Sequence, residues 1–135
     1  MQPSQLNELM EQSAEDAVVT ASQQANVTLD YSEGGLNLVD TAISEILRLF
    51  PDESQEDKSV FTICNIFGAY LGEVFKKHHG GEWEYNDTDA NAPSIYLRVN
   101  DNTYAFAGIC YEKLVKNPNV SVAKYYQQAL NTSSK

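Results

Sequence analysis

A chain of 135 residues, 42% hydrophobic and 10% aromatic, has the apolar mass for one core, which excludes disorder throughout. Nine Lys and Arg against 19 Asp and Glu leave a formal net charge of −10. That excludes nucleic-acid binding through a basic face, because phosphate contacts need clustered cations. No window approaches the roughly 18 consecutive apolar residues of a membrane span. No basic segment followed by an apolar run opens the chain, so the expectation is a cytoplasmic protein forming one domain over residues 1–135.

Residues 4–25 read as an amphipathic helix with Ser4 as N-cap. Leu6, Leu9, Met10, Ala14, Ala17, Val18, Ala21 and Ala25 recur at spacings of three and four, with Glu8, Glu11, Glu15 and Asp16 between them. Residues 26–31 alternate Val27, Leu29 and Tyr31 against polar neighbours, which suits a short strand or an extended link. Ser32 then reads as the N-cap of a second helix. Gly34-Gly35 opens that helix poorly, because each glycine costs about 1 kcal/mol relative to alanine. From Leu36 the stripe recovers through Val39, Ile43, Ile46, Leu47 and Phe50, and Pro51 stops it.

An acidic loop over 51–57 leads to a third helix, which starts near Ser54 or Glu56 and runs to His79. Its stripe of Val60, Ile63, Cys64, Phe67, Leu71, Val74 and Phe75 is the widest in the chain, so this is the expected central helix. Gly68 and Ala69 leave it a flat patch for a close neighbour, and Gly80 is the natural residue to end it. The period then changes to two. Strands are expected at 82–85, 95–99 and 103–106, joined by a polar loop over Asn86 to Pro93 and a tight turn at Asn100-Asp101-Asn102. Short links between consecutive strands make an antiparallel meander. Two short helices over 107–116 and 121–130 follow, the first with Lys113 and Lys116 at the end its dipole favours, and 131–135 reads as a frayed tail. The fold class is α+β: helices packed on a three-stranded antiparallel meander, in the order α-(β)-α-α-β-β-β-α-α, with the third helix covering the sheet.

The chemistry-bearing residues are few. Cys64 and Cys110 lie in apolar helical stretches and read as buried, reduced thiols. His78 and His79 are the only histidines. Adjacent helical residues point about 100° apart, so they do not converge on one metal. Asp87 and Asp89 could add oxygens, but the expectation is a helix-end role for both histidines and no metal. No nucleophile–base pairing, Gly-x-Ser-x-Gly elbow or phosphate-binding glycine pattern occurs, so no catalytic residue and no cofactor is assigned. Glu73 stands on the otherwise apolar third helix, four residues before Lys77 as an ion-pair partner. It is also placed to bond Tyr70, the Trp83 indole or nearby amides. Tyr96 falls on the outward face of its strand and, with Arg98 and Trp83 or Tyr85, would form an aromatic patch able to anchor a partner.

Charge is the most informative feature. Residues 1–57 carry twelve acidic groups and one basic group, Arg48, whereas residues 58–135 carry seven and eight. An excess confined to one half suits a solvated helix face or electrostatic steering of a basic partner.

Two segments carry a resemblance: Leu29-Asp30-Tyr31-Ser32 before the second helix, and Gly68-Ala69-Tyr70-Leu71-Gly72-Glu73-Val74 with Gly80-Gly81-Glu82-Trp83. Together, over residues 29–106, they resemble small bacterial cytosolic proteins known as domains of unknown function. In those proteins an LDYS strand-to-helix start precedes a GAYLGE…GGxW helix-to-strand segment. The resemblance implies no activity. The leading expectation is a non-enzymatic protein-binding module, of the kind of an immunity-type inhibitor of a basic toxin, with binding residues drawn from Tyr70, Glu73, His78, Trp83, Tyr85, Tyr96 and Arg98. The competing expectation is a small-molecule-binding protein or enzyme with a pocket around Glu73, Trp83 and His78. A homo-oligomeric scaffold is the third.

Overall fold

The computed structural model describes residues 2–52, 56–86 and 94–133. Five helices and a three-stranded antiparallel sheet follow one another in the expected order: α1 (Pro3–Ala25), α2 (Asn37–Leu49), α3 (Asp57–His79), β1 (Glu82–Asn86), β2 (Ser94–Val99), β3 (Asn102–Tyr104), α4 (Phe106–Tyr111) and α5 (Val122–Ser133). The fold is α+β. Asp87 and Asp89 lie outside the described residues, as do 134–135 of the expected tail. Helix α5 itself runs three residues beyond the expected end, to Ser133.

The N-cap of α1 lies two residues earlier than the expected Ser4. Gln2 caps the helix, its amide bonding the Gln5 side chain at 3.0 Å. Pro3 supplies the first helical residue, where a missing N–H has no cost. The helix stops at Asn26, in the left-handed conformation with φ 55°. Residues 26–31 then run as a link, with no ladder. Two of the amides a strand would offer are already taken: Val27 N–H donates to Ala21 O at 2.9 Å, and Tyr31 N–H to the Tyr70 hydroxyl at 2.9 Å.

Ser32 caps no part of α2. It opens a one-turn 3-10 helix at Glu33–Gly35, and its hydroxyl bonds Asp30 at 2.6 Å instead. A β-carbon at Gly35 would stand 3.0 Å from that hydroxyl and press on the Ser32–Asp30 bond.

Helix α3 is central, as expected. Phe67, Leu71, Val74 and Phe75 are fully buried on it, α1 packs along one side and α4 along another. At Gly68 an added β-carbon would stand 2.6 Å from the Ala107 backbone nitrogen, so the flat patch receives α4 at backbone distance. The sheet has the order β1-β2-β3, with Trp83 opposite Leu97 and Leu97 opposite Tyr104. Those three side chains and Val99 are buried. Tyr104 stacks on Phe75 at 5.9 Å, so α3 covers the sheet face. Gly80 and Gly81, with φ 83° and 120°, make the reversal from α3 into β1, a conformation other residues rarely adopt.

After α4 the helix widens to a π turn over Glu112–Lys116, and Lys113, expected near the helix end that its dipole favours, is buried in that turn. It is 4% exposed. Its ammonium donates to Pro118 O at 2.9 Å and Val120 O at 2.8 Å, and Asp40 of α2 stands 3.7 Å away. Asp40 also takes the start of α5: it accepts from Val122 N–H at 2.7 Å, Ala123 N–H at 3.2 Å and the Ser121 hydroxyl at 2.9 Å. One carboxylate thus caps a helix 82 positions away and neutralises a buried lysine.

Candidate functional site

Glu73 is held by the device that its sequence setting suggests. Gly72 has no side chain, and the Trp83 indole lies directly in the space a β-carbon there would fill. The indole N–H then reaches the Glu73 carboxylate at 2.8 Å. The glycine therefore admits a side chain rather than a neighbouring backbone. The cation beside Glu73 is Lys76 at 3.8 Å, not Lys77. Its carboxylate turns to the indole on the side of the helix that Lys76 shares, and Lys77 points to solvent.

Tyr31 is the densest junction. It is not glycine, yet its φ is 64°, a left-handed conformation that costs on the order of 1 kcal/mol. Four contacts from two helices, α1 and α3, hold it there. Its N–H donates to Tyr70 OH, and its ring lies 4.9 Å from the Tyr70 ring. Its carbonyl accepts from His78 Nε2 at 3.1 Å. Its hydroxyl donates to Glu15 at 2.8 Å. Burial and then the Glu15 carboxylate push the Tyr31 phenol well above its usual range, so it stays a donor. Burial also raises the Tyr70 phenol.

Glu33, in the double-glycine turn, gathers the rest of this end. Its Oε2 accepts from Tyr126 OH at 2.6 Å and meets His79 Nε2 at 2.7 Å, with His78 Nδ1 4.0 Å from Oε1. Burial alone would raise its carboxyl. The Tyr126 and His79 hydrogen bonds outweigh that and hold it below 4.5. Both histidines are therefore spent at the end of α3 on the link and its turn. Among the described residues, no group of three or more His, Cys, Asp or Glu is placed to hold a metal ion.

Around Tyr31 and Glu73 opens a cleft of about 500 Å³, walled by Glu8, Glu11, Gln12 and Glu15 of α1. Glu8, Glu11 and Glu15 are exposed. Glu8 and Glu11 make no ion pair or hydrogen bond among the described residues. Neither Trp83 nor His78 lines this cleft. The expected pocket around Glu73, Trp83 and His78 is thus divided: Trp83 is buried on Gly72, and His78 bonds the back of the Tyr31 turn.

The outward face of the sheet carries Tyr96 and Arg98 as expected. Arg98 pairs with Glu84 directly, and Glu84 faces Tyr96 across the ladder. The Arg98 hydrogen bond, with a smaller one from Tyr96, holds the Glu84 carboxyl below its usual range. Trp83 and Tyr85 do not join this patch. They alternate onto the opposite face, Trp83 buried and Tyr85 39% exposed at the sheet's end.

Sequence reasoning passed over Glu15, Tyr31, Glu33 and Asp40 as functional or organising residues. The one local signal was the turn chemistry of Ser32 to Gly35. Comparisons with models of known protein families, with curated proteins and with solved structures find no match for this chain.

Proposed function

We propose that this chain is a non-enzymatic, cytoplasmic protein-binding module whose acidic α1 face takes a basic partner, in the manner of an immunity-type inhibitor of a basic toxin. One observation carries the reading: three exposed glutamates of α1 and Glu73 wall a single cleft with Tyr31 held among them. Glu8 and Glu11, with no internal partner among the described residues, keep their charge for an incoming cation, and clustered charge raises the association rate by steering. Two free, buried thiols suit a reducing compartment. Burial pushes Cys64 up to about 12, so it offers no thiolate nucleophile. The bacterial resemblance of the Gly68 to Trp83 segment belongs to the same proposal.

Capture from a bacterial lysate tests it. The wild-type protein retains a basic protein at ~0.05 M salt and releases it at ~0.5 M, where charges are screened within a few ångströms. The folded triple variant Glu8→Gln, Glu11→Gln, Glu15→Gln loses that capture. Capture that ignores both salt and the triple variant defeats the reading.

A further inference from the structure

The acidic cleft lies towards one end of α3. Near the other end, about 18 Å from Glu73 along the helix axis, the surface is of opposite character. Phe61 is 71% exposed, more than any other large apolar side chain described. Beside it runs a groove of about 370 Å³ between α3 and α4. Its floor is apolar: Val60 and Cys64 are buried there, and Ala107 and Gly108 form the far wall, with Tyr111 42% exposed at the rim. A protruding phenyl ring and an apolar hollow thus stand side by side on one face.

We infer that this face binds a second copy of the same chain, each Phe61 seating in the other's groove across a twofold axis. A projecting ring beside its own receptacle is self-complementary, which an isologous contact requires. The charges agree. Asp57 lies on the α3 bank, and among the described residues it forms no ion pair. Lys116, in the π turn that follows α4, stands beside that bank, its ammonium 5.9 Å from the centre of the Tyr111 ring and in an exposed ion pair with Glu112 at 3.5 Å. A twofold axis running along the groove lays the α3 bank of one copy over the α4 bank of the other, which brings Asp57 to the side that carries the second copy's Lys116. The acid excess of α1 is left at the remote end, where two chains of charge −10 repel least. A partner rich in lysine has little to meet in this groove, where Asp57 is the one lining acid among the described residues. This contact goes beyond the acidic-face reading and does not rest on it.

Sedimentation equilibrium of the full chain from about 5 µM to 1 mM tests the pairing. The expected result is a reversible shift from the 15.0 kDa chain to twice that mass. Added salt should not release it, because an apolar ring in an apolar groove carries the contact; this differs from the salt effect on a basic partner. Phe61→Ser, at an exposed position that leaves the far-ultraviolet circular dichroism unchanged, should raise the dissociation constant about tenfold or more, as loss of an interface anchor does. Asp57→Lys alone should weaken pairing, and Asp57→Lys with Lys116→Asp should restore it. A single 15.0 kDa species throughout, a dimer unmoved by Phe61→Ser, or a charge swap that fails to restore pairing overturns the inference.

Discussion

Glu33 and Asp40 on one side, and Glu8 and Glu11 on the other, are carboxylates of the same acidic half of the chain put to opposite uses. Asp40 is three-quarters or more enclosed and accepts three hydrogen bonds at the start of α5 while facing a buried ammonium. Glu33 ties the end of α3 to α5 through His79 and Tyr126. Glu8 and Glu11 stand on the open wall of the cleft with no such partners. Formal charge therefore says little about role. A carboxylate enclosed with donors builds the fold, and one left in solvent remains available to something outside it.

The sharpest way to break this comparison is Asp40→Ala. It leaves the Lys113 charge buried without its counter-ion and strips three donors of their acceptor. The expected loss is about 3–5 kcal/mol in urea unfolding. Glu8→Gln should stay within about 0.5 kcal/mol of wild type. Similar values for the two would erase the distinction.

Glu73 lies between these extremes, since it both lines the cleft and accepts the Trp83 N–H. Glu73→Ala orphans a sheltered indole and should cost about 1–3 kcal/mol, whereas Glu73→Gln keeps an acceptor and should cost well under that. Equal, negligible changes in chemical denaturation would return Glu73 to the solvated class.

The smallest effect is a pH dependence at Glu33. Its carboxyl is lowered in the fold, so its stabilisation is complete above the usual value of 4.5 and disappears as the pH falls through the lower folded value. Below pH 4.5 the wild type should thus lose more stability than Glu33→Gln does, by about 1 kcal/mol. Parallel pH profiles for the two proteins would show that the contacts with Tyr126 and His79 do not stabilise the ionised form.

Much of this molecule is written locally. The stripe through Phe67, Leu71 and Phe75 marks the central helix, Gly80 ends it, and alternation at Ile95, Leu97 and Val99 marks the middle strand, because helix and strand periods are set by neighbours a few residues apart. The Glu73–Trp83 bond was legible for the same reason, being ten positions long and spanning one reversal. The tertiary structure alone decided which acids became partners. Tyr126 reaches Glu33 over 93 positions and Val122 reaches Asp40 over 82. It also turned Lys113 inward and left Phe61 uncovered at the groove. None of these follows from local pattern. A charged side chain's energy depends on what is packed around it, and that surrounding arrives from distant parts of the chain only when the helices close on the sheet.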